Sequence, residues 1–122
     1  MKKGKLREQI GLAPVETCRR GTLRLEAPGI EFADDISADI SAILARTLRQ
    51  CVNRILVLRI ERRQIHFVVM VDEMFSAAEL IELVRRRSAI SMFQLLPTVR
   101  AAVASPETIW QGCTTVADRR RQ

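Results

Sequence analysis

The sequence predicts an α+β fold: a mainly antiparallel sheet of four to five strands built from two hairpins, packed by helices, with a helical C-terminal third. Two observations carry this reading. Apolar residues alternate with polar ones over 21–32 and again over 55–71, the period of strands, whereas 36–52 and 77–87 repeat their apolar residues at three and four, the period of helices. The order hairpin, helix, hairpin, helix then segregates sheet from helices, as α+β domains do. With 122 residues, 48% of them hydrophobic, the chain is expected to form a single domain over 1–122 with short basic tails at about 1–7 and 118–122.

The elements follow in order. Residues 5–11 are expected as a short helix and 15–20 as a first strand. Leu23, Leu25 and Ala27 alternate with Arg24 and Glu26, and beyond Pro28-Gly29 the alternation resumes at Ile30 and Phe32, so 21–32 reads as a hairpin with one dry face. Asp34 and Asp35 offer N-cap carboxylates to a helix whose apolar face is Ile36, Ile40, Ile43, Leu44, Leu48, Cys51 and Val52. Asp39, Arg46, Arg49 and Asn53 lie on its other face. Residues 55–60 and 65–71 form the strongest strand pair. A turn at Arg62-Arg63 pairs Ile60 with Ile65, Leu58 with Phe67 and Leu56 with Val69, and sets Arg59 across from His66 on the opposite face.

Ser76 and Glu79 match a capping box, with Phe75 and Leu80 placed as a hydrophobic staple, so an amphipathic helix is expected from there to about Arg87. Between Ser88 and Pro106 the only charge is Arg100, and apolar residues surround the helix until Pro97 kinks or breaks it. Ser105-Pro106-Glu107 then predicts a last helix bearing Ile109, Trp110, Cys113 and Val116. With the leading helix and strand included, the order of elements resembles that of the type III secretion chaperones. That resemblance rests on element order alone and implies a small cytoplasmic dimer.

Charge is concentrated at the ends. The formal charge is +6, but all three lysines fall in the first five residues and Arg119, Arg120 and Arg121 stand near the C-terminus. Between residues 8 and 118, thirteen arginines face fourteen carboxylates. Cys18, Cys51 and Cys113 are odd in number and widely spaced, which argues against a disulfide framework and for a reducing cytoplasm. No signal-peptide pattern and no stretch of about 20 apolar residues is present, so a cytoplasmic protein with no membrane association is expected.

Few residues point to chemistry. His66 is the only histidine, hence the weak candidate for any catalytic base; with Arg59 across from it, the usable form is neutral. Cys18, Cys51, His66 and Cys113 lack the short paired spacing of zinc sites, and no metal or cofactor is expected. Asp34, Asp35, Asp72 and Glu73 each precede a helix, where capping explains them. Lys2, Lys3, Lys5, Arg85, Arg86, Arg119, Arg120 and Arg121 are candidate phosphate contacts of a non-specific nucleic-acid association. The main expectation is instead a binding protein, more an interaction module than an enzyme. It would be a homodimer assembled through the apolar segment 88–104, with Ile90, Phe93, Leu96, Val99 and Val103 as interface or groove for a peptide, protein or small apolar ligand.

Overall fold

A computed structural model describes residues 15–26, 29–32, 34–111 and 116–119. Strand β1 (Glu16–Arg24) leads to helix α1 (Asp34–Cys51), then to the hairpin β2 (Arg54–Ile60) and β3 (Gln64–Asp72). Helix α2 (Ala77–Leu95), a short α3 (Pro97–Ala102) and a 3-10 turn (Pro106–Thr108) precede β4 (Val116–Arg119). The α+β class and the antiparallel sheet are as expected. The long strands run antiparallel in the order β2-β3-β1, and β4 pairs along the far side of β1. The expected helix over 5–11 lies outside the described residues.

Strand β3 is central because Ile65, Phe67, Val69 and Val71 are buried beneath the helices, while the residues between them reach the other face. The Arg62-Arg63 turn is as predicted: Glu61 N–H donates to the Gln64 carbonyl at 2.8 Å, and Ile60 pairs with Ile65, Leu58 with Phe67 and Arg59 with His66. The expected pairing of Leu56 with Val69 does not occur. A bulge between Ile55 and Val57 gives Val69 to Ile55 and turns Leu56 outward.

The first expected hairpin is absent, because β1 pairs with β3 instead, Gly21 opposite Phe67 and Arg24 opposite Gln64. The end of β1 has its backbone partners elsewhere. Leu25 N–H donates to the Arg63 carbonyl at 2.9 Å and Glu26 N–H to that of Ile109 at 2.8 Å, while Gln111 N–H reaches the Arg24 carbonyl at 2.8 Å. Residues 30–32 cross the end of the β2–β3 turn, fastened by the Arg63 guanidinium, which donates to the carbonyls of Ile30 (2.7 Å) and Leu25 (3.2 Å). This is a turn arginine used as a clamp.

The C-terminal third is not wholly helical. The capping box forms as the sequence predicts, Glu79 N–H to Ser76 Oγ at 3.0 Å and Ser76 N–H to Glu79 Oε1 at 3.1 Å, and α2 continues through the arginines to Leu95. Leu96 is extended, as the residue before a proline prefers, and Arg100 folds back to cap the carbonyls of Phe93 and Gln94, both at 3.0 Å. The last expected helix is replaced by the 3-10 turn and an edge pairing with β1. Ser105 makes no side-chain cap, and Thr108, Ile109, Thr114, Thr115 and Val116 are β-branched, so satisfying the edge of β1 outweighs a short helix. Trp110 locks this segment, its Nε1 donating to the buried Ser88 Oγ at 3.0 Å and its ring meeting Phe32 edge-on at 5.9 Å.

Candidate functional site

Helices α1 and α2 cover the face of the sheet formed by the odd-numbered residues of β1 and β3. Among the described residues no helix packs on the other face. Register fixes what stands there. Arg59, His66 and Thr22 form one row across it; Val57, Val68 and Arg20 form the next, and Arg54, Met70 and Cys18 a third. Arg24 lies beside Gln64 at the near end. Arg20, Arg24, Arg54 and Arg59 are exposed, around a middle of partly buried Val68 and Met70.

The histidine in this face is held at both ring nitrogens. Thr22 Oγ1 lies 2.9 Å from Nδ1, and Glu61 Oε1 lies 3.4 Å from Nε2. A neutral ring satisfies both when Nε2–H faces the carboxylate and Nδ1 accepts from the Thr22 hydroxyl. Glu61 also accepts from Gln64 Nε2 at 2.7 Å and lies 3.2 Å from Arg59 Nε. The Gln64 hydrogen bond is the largest cause holding its carboxyl below the usual 4.5; burial opposes it, and His66 and Arg59 beside it add to the lowering. The arginines differ in what neutralises them. Arg54 meets Glu16 at 3.4 Å and Arg59 meets Glu61, but Arg20 and Arg24 have no carboxylate partner among the described residues.

The predicted juxtaposition of Arg59 and His66 is present, and the fold adds Thr22, Gln64, Glu61, Arg20, Arg24 and Arg54 around it. Alternation in 17–24 already set Arg20, Thr22 and Arg24 on one face. Pairing that strand with 64–72 would have brought them to His66. The other candidates are not gathered there. Arg85 is tied to Glu82 at 2.8 Å on α2, and Arg86 and Arg87 are exposed on the same helix, across the sheet from the open face. Arg119 is opposite Cys18 in the β1–β4 register, whereas Lys2, Lys3, Lys5, Arg120, Arg121 and Cys113 lie outside the described residues. Asp72 is spent on a turn, its Oδ1 accepting from Met74 N–H at 2.8 Å. Among the described residues no group of three metal-ligating side chains occurs, and no helix is long and apolar enough to cross a membrane.

The arrangement defines an α+β chain with helices on one face of an antiparallel sheet and a cation-bearing open face on the other. No family model and no curated protein matches the sequence. Solved structures do match its fold. The crystal structure of a candidate transposase from Deinococcus radiodurans R1 is 15% identical with a TM-score of 0.64, over 96% of this chain and 85% of that one. A REP-associated tyrosine transposase bound to a REP hairpin is 8% identical with a TM-score of 0.60, over 89% of this chain and 60% of that one. The chain therefore spans less than two thirds of the second protein's length.

These findings correct the main functional expectation. These two solved structures that share the fold are transposases, one of them bound to a REP hairpin, and neither points to a peptide or apolar-ligand binder. The apolar segment 88–104 is also largely spent inside the chain: Leu96 and Val99 are core residues, and Phe93 and Val103 pack against that core. Ile90 alone of the five proposed interface residues is exposed. The all-round hydrophobicity arises because α2 ends and α3 folds back at Pro97, so different sides of the segment meet the same core.

Proposed function

We propose that this chain binds nucleic acid through the open face of its sheet, with Arg20, Arg24, Arg54 and Arg59 contacting backbone phosphates. The observation that carries the reading is that Arg20 and Arg24 stand exposed on that face with no carboxylate partner among the described residues. The shared fold with two transposases, one bound to a REP hairpin, supports it and makes a hairpin the first ligand to try. Phe32, Phe67 and Trp110 are in the core, so recognition rests on phosphate charge more than on base stacking and carries little sequence preference.

The 122 residues contain no tyrosine, so they hold no phenol for tyrosine-dependent chemistry, and the activity proposed is binding. His66 is placed to orient the polar end of the face through Thr22 and Glu61. The test is fluorescence anisotropy with a labelled DNA hairpin and the matching unpaired strand. Arg20→Ala/Arg24→Ala is expected to weaken binding to either, and equal affinity of the variant and the wild type would exclude the sheet face.

A further inference from the structure

The outer face of α1 carries charge in an arrangement that a lone helix does not favour. Asp35, Asp39, Ala42, Arg46 and Arg49 are all exposed, and their spacing of four, three, four and three keeps them within an arc of about 80°. Like charges are neighbours on this stripe: Asp35 and Asp39 are one turn apart, as are Arg46 and Arg49. Such pairs disfavour an isolated helix. The nearest opposite charges, Asp39 and Arg46, are seven residues apart, an axial rise of about 10 Å along the helix, and they form no ion pair. The helix dipole accounts for an acid in the first turn and a base in the last, but it fades within a turn, and Asp39 and Arg46 lie in the helix interior. None of the four charged side chains has an ion-pair partner among the described residues.

The stripe is, however, complementary to itself when reversed. Its midpoint is Ala42, with Asp35 and Arg49 seven residues to either side and Asp39 and Arg46 three and four residues away. We infer that α1 is the contact of a twofold dimer, crossing a second copy of itself in antiparallel fashion at Ala42, with Asp39 against the partner's Arg46 and Asp35 against the partner's Arg49. A twofold axis forms every such pair twice. The small side chain at the axis permits the close helix approach this requires, about 8 Å between axes. Beside it lies a groove of about 320 Å³ lined by Asp39, Ala42, Ile43, Arg46, Leu95 and Leu96, so the midpoint of the stripe borders a concave surface. The contact differs from the assembly through 88–104 expected from the sequence, and it is independent of the nucleic-acid reading, since α1 lies across the sheet from the open face.

The test is sedimentation velocity of the full chain at about 10 to 100 µM in about 50 mM salt, where exposed charges are least screened. The wild type is expected to dimerise. Asp39→Arg and Arg46→Asp each place like charges together twice and are expected to weaken the dimer about 10-fold or more, and the double swap Asp39→Arg/Arg46→Asp is expected to restore it to within about 3-fold. Ala42→Glu, which blocks the crossing without altering a pair, is expected to weaken it as the single changes do. Circular dichroism confirms that each variant is folded. A wild type that is monomeric throughout, a dimer indifferent to both single changes, or a folded double swap that fails to recover would each overturn the inference.

Discussion

Removing Arg20 and Arg24 together tests the sheet face through its salt dependence, which is more specific than affinity alone. Each phosphate contact contributes about 0.7 to the slope of log affinity against log salt for a single strand, and about 0.9 for a duplex. If the four arginines of the face each meet a phosphate, they supply a slope of about −2.8 to −3.6, which between about 50 and 200 mM salt amounts to a loss of about 50- to 150-fold. With Arg20→Ala/Arg24→Ala the face retains Arg54 and Arg59, a slope of about −1.4 to −1.8 and a loss of about 7- to 12-fold over the same range. Any contribution from the terminal lysines and arginines is common to both proteins. The quantity to read is therefore the difference in slope, about 1.4 to 1.8, from anisotropy titrations of a labelled hairpin at four or five salt concentrations. Arg20 and Arg24 are exposed and make no ion pair among the described residues, so stability is expected to stay unchanged. A variant with the wild-type slope, whatever its absolute affinity, would refute the placement of phosphates on this face.

Three further outcomes follow from the packing and the electrostatics. A Cβ at Gly21 would lie 2.6 Å from Cζ of the buried Phe67 and 3.0 Å from Cδ1 of Ile81, so Gly21→Ala is expected to cost about 1 to 3 kcal/mol in urea unfolding, and a neutral result would contradict the strand packing. Arg63→Ala removes two hydrogen bonds from a charged donor and is expected to cost about 2 to 3 kcal/mol. Arg63→Lys should recover less than half of it because an ammonium cannot fork between the Ile30 and Leu25 carbonyls. For Glu61 the folded-state pKa is depressed, so its contribution to stability is present above 4.5 and is lost as pH falls through the lower folded value. Its carboxyl resonance is expected to titrate below 4.5 and to move upward in Gln64→Leu, which deletes the largest cause; an unmoved midpoint would discount the hydrogen bond.

How legible each part was depended on whether its determinants were local. The Arg62-Arg63 turn, the pairing of Ile60 with Ile65 and the Ser76–Glu79 capping box are set by residues within a few positions of one another, and each is present as read from the sequence. The partner of 16–24 was not local. Pro28-Gly29 signalled a turn, but the longer apolar register offered by 64–72, with Gly21 leaving room for the Phe67 ring, captured that strand instead. The same error hid the candidate site, since Arg20, Thr22 and Arg24 reach His66 only across the β1–β3 pairing. Residues 107–119 misled for a related reason: a proline-led helix start was outweighed by the need of β1 for an edge partner, which no periodicity within the segment encodes.

The dimer contact and the proposed nucleic-acid face are on opposite sides of one sheet, and this separation makes each a control for the other. A crossing at Ala42 leaves both open faces outward, so a dimer presents two cationic surfaces on a rigid body, and a ligand carrying two hairpins on a linker long enough to reach both would gain from effective concentration. That gain depends on α1, whereas the slope against salt for a single hairpin depends on Arg20 and Arg24. Asp39→Arg should therefore remove the advantage of the two-hairpin ligand, while the difference in slope produced by removing Arg20 and Arg24 stays the same in that background. A change in that difference would mean that the charge on α1 reaches the bound ligand, and that the two faces are one site.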